Sequence, residues 1–221
     1  MSGNGRQPVE LVILDWNGTL QDDVALYYEY SVRRIFARLG LPCPSIEEYR
    51  AEVSAADYMQ FFWARGIPKA MSGDELYDIV YQDMTRDDAR APLFPDVAQM
   101  LQTIGRGRSL VRVSSMNAPN LDATVDRHGV RQHFARVYGG VRDKRAAFAN
   151  ACLDLCIPFE RACAIGDMAD DARAAHAAGI PSILCPRGHH SRARLEGVRT
   201  EIPGLVIVET LEEIPALLDA V

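Results

Sequence analysis

From residue 96 onward the chain alternates helix-patterned and apolar strand-like segments with little interruption, and few folds tolerate that order. "DVAQMLQTI" reads as a helix, "SLVRVSS" as a strand, "NLDATVDRHG" as a helix, "ARVYGG" as a strand and "KRAAFANACLDL" as a helix. The strand "ACAIGD", the helix "DDARAAHAAG", the strand "PSILCP", a short helix near "SRARLEG", the strand "LVIVE" and a last helix follow. Strands separated by crossover helices pair in parallel with right-handed connections, which predicts an α/β, doubly wound, Rossmann-like sheet. One further strand, "VELVILDW", lies near the start, and its near-continuous apolar run suits a position covered on both faces. Between it and the alternating part, the pattern is helical. Val24, Tyr28, Val32, Ile35 and Leu39 recur at three- and four-residue steps until Gly40 and Pro42, and "SIEE" (45–48) and "SGDE" (72–75) read as capping boxes. The organisation expected is a core of residues 1–20 and 93–221, with an all-helical insert at 21–92.

In a doubly wound sheet, ligands sit beyond the carboxyl ends of the strands. Polar residues fall at those ends: Asp15 after the first strand, Ser114 after the second and Asp167 after "ACAIG", while Lys144 opens a helix and Asp171 lies on the first turn of another. A lone aspartate in such a turn is usually a cap. Five polar side chains converging on one edge are hard to attribute to capping. Lysine use sharpens the point, because only Lys69 and Lys144 are lysine among 24 basic residues. A lysine kept in so arginine-rich a chain is a candidate for a task that needs a compact ammonium.

Composition limits the partners. A chain of 221 residues, 48% hydrophobic, can bury a sizeable core, and a net charge of −6 argues against general binding to nucleic acid or to a membrane surface. A small soluble ligand is expected, with the chain acting as a monomer or homodimer. Five cysteines, at 43, 152, 156, 163 and 185, form no CxxC pair and suit reduced thiols. The first eight residues are polar and no apolar run approaches the length of a membrane helix, so a cytoplasmic protein is expected.

"DWNGT", the serine of "VRVSS", Lys144 and "GDMADD" resemble, in order, the four motifs of the haloacid dehalogenase superfamily, whose members are mostly phosphatases. The helical insert resembles that superfamily's first type of cap, and "DDARAAHAAGI" is similar to the helix after the fourth motif in phosphoglycolate-phosphatase-like members. The resemblance implies a magnesium-dependent hydrolase of a small phosphorylated metabolite that works through an aspartyl phosphate. It makes Asp15 the nucleophile and a Mg2+ ligand, with the backbone carbonyl of Asn17, Asp167 and Asp171 completing the metal set. Gly18, Thr19, Ser114, Ser115 and Lys144 would hold the phosphate, and Lys144 would pair with Asp15.

Asn17 departs from the pattern. Most phosphatases of the superfamily carry aspartate there, which protonates the leaving oxygen and then activates water. An amide can do neither, and such acid–base help contributes on the order of 10²–10⁴ in rate. Four explanations are open: a leaving group that needs no proton; a substitute acid in His189 or His190, which otherwise read as solvated loop residues beside the helix cap Ser191; phosphonoacetaldehyde-hydrolase-like carbon–phosphorus cleavage using Lys69 as a Schiff base; and ligand binding with little turnover. The aromatics Tyr27, Tyr28, Tyr58, Phe61, Phe62 and Trp63 are expected mainly to pack the insert's own core, and the substrate is not legible from them.

Overall fold

The computed structural model describes residues 8–54, 57–71, 75–76, 86–87 and 90–219. Six strands, β1 (Leu11–Leu14), β2 (Ser109–Val113), β3 (Arg136–Tyr138), β4 (Ala162–Gly166), β5 (Ser182–Leu184) and β6 (Val206–Ile207), form one sheet in the order β3-β2-β1-β4-β5-β6. Every pairing is parallel. The chain winds outward from β1 to β2 and β3, then returns to β1's other side with β4. The reversal lies between β1 and β4, which is where a doubly wound sheet opens a crevice.

Both faces of the sheet are covered. The pleat sends Val12 and Leu14 into a cluster built with α5 (Val97–Ile104), α6 (Ala118–Arg127) and α10 (Ile214–Asp219). Leu11 and Ile13 go to the opposite face, against Phe148, Ala151 and Cys152 of α7 (Lys144–Asp154) and Ala175 of α8 (Ala169–Ala177). Each buried Val, Leu, Ile or Phe among them contributes about 1.5–3 kcal/mol by leaving water. Ala169 and Ala172 of α8 pack with Leu195 and Val198 of α9 (Arg192–Arg199) in a smaller cluster.

Between β1 and α5 lie α1 (Val24–Tyr28), a π-helical stretch (Glu29–Arg33), α2 (Arg34–Leu39), α3 (Ile46–Glu52) and α4 (Tyr58–Trp63). Gly40 closes α2 in the left-handed region at φ 65°. Ser45 and Glu48 form the reciprocal capping box at α3, whereas "SGDE" lies mostly outside the described residues. Phe36, Tyr49, Phe61 and Phe62 are buried in a hydrophobic cluster belonging to these helices. The chain leaves and re-enters the core side by side, with Asp22 N donating to Pro92 O (2.8 Å) and Phe94 N to Leu20 O (3.0 Å).

The C-terminal end of α3 is bolted to the loop after β5. Arg50 donates to Pro186 O (2.9 Å) and His190 O (3.3 Å), Ser191 N donates to Arg50 O (3.1 Å), and Arg194 donates to Ala51 O (2.6 Å). His190 donates from Nε2 to Val53 O (2.8 Å) while its Nδ1 accepts from Ala169 N (2.9 Å). Among the described residues no helix is long and apolar enough to cross a membrane.

Candidate active site

β1 delivers Asp15 to the switch point, where its amide continues the sheet by donating to Ile165 O (2.9 Å). The chain then turns sharply: Trp16 O accepts from Thr19 N, Leu20 N and Gln21 N. Trp16 drops its ring into the core and donates from Nε1 to Gln21 Oε1 (2.5 Å). Gly18 adopts φ +70°, and a Cβ there would strike Asp167 and the His189 ring. Only glycine meets both conditions.

Asp15, Asp167 and Asp171 come together with ligand oxygens within 4.8 Å of one another, all three buried. Lys144, the first residue of α7, reaches them from the loop after β3. Its Nζ donates to Asp15 Oδ1 (2.8 Å) and Asp171 Oδ1 (2.5 Å). Burial alone would depress this ammonium, but the carboxylates of Asp15 and Asp171 outweigh it and hold Lys144 above its ordinary range. Burial, then the charges of Asp15 and Asp171, push Asp167 well up, and burial with Asp15 raises Asp171 to about 6 against the pull of Lys144. Three carboxylates around one ammonium leave a surplus of negative charge in a dry place. A hard divalent cation with oxygen ligands matches that donor set.

Thr19 is fully buried and donates to Asp167 Oδ1 (3.3 Å). Ser114 is buried, donating to Asn17 Oδ1 (3.3 Å) and accepting from Met116 N (3.0 Å), whereas Ser115 is exposed. Lys69 is exposed in the turn after α4, outside the buried cluster. The two histidines correct the expectation of solvated loop residues, since His189 is 6% and His190 0% exposed. The loop after β5 folds back over the sheet end because Asp167 accepts from His189 N (2.5 Å) and α3 holds the loop from above. Both ring nitrogens of His190 are committed to backbone groups, and burial pushes its pKa down to about 3, so it serves as a structural tie. His189 bonds through Nδ1 to Tyr49 OH (2.9 Å), lies edge-on to Tyr27, and points Nε2 at Asp23 Oδ1, 3.9 Å away. Burial lowers its pKa too, against the opposing charges of Asp23 and Asp15.

Three residues went unnoticed in the sequence. Asp23 stands where a helix cap is expected, but its carboxylate reaches back instead to accept from Gly18 N (2.8 Å) and Asn17 Nδ2. Arg187 forks onto Asp96 (2.7 Å to each oxygen) and donates to Thr19 O (2.8 Å), steadying the turn from outside. Tyr49 carries the hydroxyl that meets His189. The doubled acid "QDD" was the one signal for the first, and nothing local marks the other two.

The sequence matches the HAD-hydrolase-like family over residues 143–214. It is similar to the plasmid-encoded protein CbbY of Cupriavidus necator, at 23% identity over 89% of this chain and 86% of that one. Among solved structures, it resembles a putative phosphoglycolate phosphatase from Lactobacillus delbrueckii subsp. bulgaricus, with TM-score 0.79, 16% identity and coverage of 97% of this chain and 100% of the other. It also resembles a mutant CbbY from Rhodobacter sphaeroides in complex with xylulose-(1,5)bisphosphate, with TM-score 0.69, 23% identity and coverage of 93% and 96%. The chain thus shares the fold of these proteins along nearly its whole length, and its segment carrying Lys144, Asp167 and Asp171 matches the HAD-hydrolase-like family.

Proposed function

We propose that the protein is a magnesium-dependent phosphatase acting on a small phosphorylated metabolite, a sugar phosphate being the class suggested by the bisphosphate in the CbbY relative. The observation that carries this reading is the group of three buried carboxylates countered by a single lysine, at the sheet's switch point. Asp15, Asn17 through its backbone carbonyl, Asp167 and Asp171 would hold Mg2+. When bound, the ion neutralises charge on the phosphate and on the attacking carboxylate. Asp15 attacks phosphorus through one carboxylate oxygen and the ester oxygen departs, leaving an aspartyl phosphate that water then hydrolyses, so one difficult step becomes two. Lys144, bonded to Asp15, would screen it from the incoming anion and fix its orientation, while Ser114, Ser115 and the loop from Gly18 to Thr19 would hold the phosphate. Residues 21–92 act as a cap that excludes water and selects the substrate, with Tyr27 and Tyr49 nearest the loop of His189. The free cysteines support a cytoplasmic setting.

The test is magnesium-dependent phosphate release from p-nitrophenyl phosphate, an acyl phosphate and alkyl phosphates. Asp15→Asn is expected to remove turnover entirely, and chelation of Mg2+ to do the same reversibly. Unchanged release by either treatment overturns the mechanism. Asn17 favours a second reading, ligand binding with little turnover, for which stabilisation by a phosphate ester without hydrolysis would be the sign.

A further inference from the structure

Asn17 is held at both ends. Its Nδ2 donates to Asp23 Oδ2 and its Oδ1 accepts from Ser114 Oγ (3.3 Å), while the other oxygen of Asp23 accepts from Gly18 N (2.8 Å). Asp23 is 1% exposed, and its own backbone carbonyl accepts from Tyr27 N (2.8 Å) as α1 begins. The carboxylate therefore has little room to turn away, and two donors converge on it from one loop. A carboxylate offers only acceptors and an amide one donor group and one acceptor, so the contact between 17 and 23 is complementary only when one of the two is an amide and the other an acid. An acid at both positions would set two carboxylates face to face beside Asp15 and Asp167, replacing a donor–acceptor contact with like-charge repulsion.

Building on the phosphatase reading, we propose that Asp23 is a specificity-determining residue: it holds an amide at position 17 and thereby confines the site to substrates whose leaving oxygen needs no proton. Asp23 touches no substrate; it acts through Asn17 and the Gly18 amide. The acid missing from position 17 has in effect been moved to 23, one layer behind the reacting groups. Exchanging the two residues preserves the three hydrogen bonds named above. Aspartate at 17 accepts from Ser114 and from an asparagine amide at 23, whose oxygen still takes Gly18 N.

The experiment is a double-mutant cycle of wild type, Asn17→Asp, Asp23→Asn and the exchange Asn17→Asp/Asp23→Asn. Thermal midpoints would be read alongside kcat and KM on p-nitrophenyl phosphate and on an alkyl phosphate. Asn17→Asp alone is expected to lower the midpoint by about 5 °C or more and to raise the alkyl-to-aryl ratio of kcat by less than about tenfold. The exchange is expected to return the midpoint to within about 2 °C of wild type. It should also raise the alkyl-to-aryl ratio of kcat by on the order of 10²–10⁴, with KM little changed. A purely structural role for Asp23 would move the midpoints and leave that ratio where it was, which overturns the specificity claim. So does full alkyl turnover by Asn17→Asp alone with no loss of midpoint. Additive midpoint shifts in the two single variants overturn the pairing itself. If none of the four proteins hydrolyses either substrate, the phosphatase reading and the leaving-group limit fail together, and the midpoint cycle still decides whether Asp23 holds Asn17.

Discussion

At the scale of the residue, what a side chain meets is decided by what lies across the sheet from it. Asp15, Ser114, Lys144, Asp167 and Asp171 were recognisable in sequence because strand ends and helix starts are where such a fold presents polar groups. The environment of Arg112 was not. It sits in β2 between apolar neighbours with 0% exposure, its guanidinium 4.3 Å from the centre of the Trp16 ring, and none of its guanidinium nitrogens meets a hydrogen-bond partner among the described residues. Burial pulls its pKa down to about 9, opposed by the charge of Asp15. A charge kept dry without a hydrogen-bonded partner costs stability. Arg112→Met keeps much of the length and the contact with Trp16, and is expected to stabilise the protein by about 1 kcal/mol or more in urea unfolding. A loss of similar size would mean that the guanidinium is held by a group that outweighs its burial.

Elements came through from sequence where period and punctuation agreed. "SIEE" is a case: the Ser45 hydroxyl accepts from Glu48 N (3.1 Å) and Glu48 accepts from Ser45 N (2.6 Å). Because α3 also carries the contacts to the loop after β5, its start matters beyond its seven residues. Ser45→Ala is expected to cost about 1 kcal/mol, seen as a fall of about 2–4 °C in thermal midpoint, and a shift of zero would show that the helix is held by its docking alone. The run from Val24 to Leu39 reads as one helix, and the structure interrupts it with a π-helical turn at Glu29–Arg33. Two successive four-residue steps, Val24 to Tyr28 to Val32, drift by about 80° around a regular α-helix. The wider π turn takes up that drift, and Val32 is 0% exposed. Short strands such as Val206–Ile207 were legible only as apolar runs, since two residues carry no period of their own.

At the scale of the whole molecule, the segment at the end of α3 and the sheet's strand-end loops share a pH-sensitive join. His190 is neutral, with Nδ1 accepting from α8 and Nε2 donating to Val53, and its pKa of about 3 lies below the ordinary 6.5. The unfolded chain therefore binds a proton that the folded one refuses, so this contribution is complete above about pH 6.5 and is lost progressively as pH falls toward 3. His190→Asn, which cannot titrate, is expected to flatten the fall in metal-free thermal midpoint between pH 7 and pH 5; an unchanged slope would place the titrating group elsewhere. The fold class, the five strand-end groups and the likeness to a hydrolase superfamily were legible in the sequence because each depends on local patterning: hydrophobic period, turn chemistry and short motifs. The surroundings of Asn17, the burial of His189 and His190 and the tie between α3 and the loop after β5 were decided by tertiary structure alone. They join residues as far apart as Tyr49 and His189, and whether a carboxylate or imidazole is solvated, paired or stranded follows from which distant backbone closes over it, a fact that no local pattern encodes.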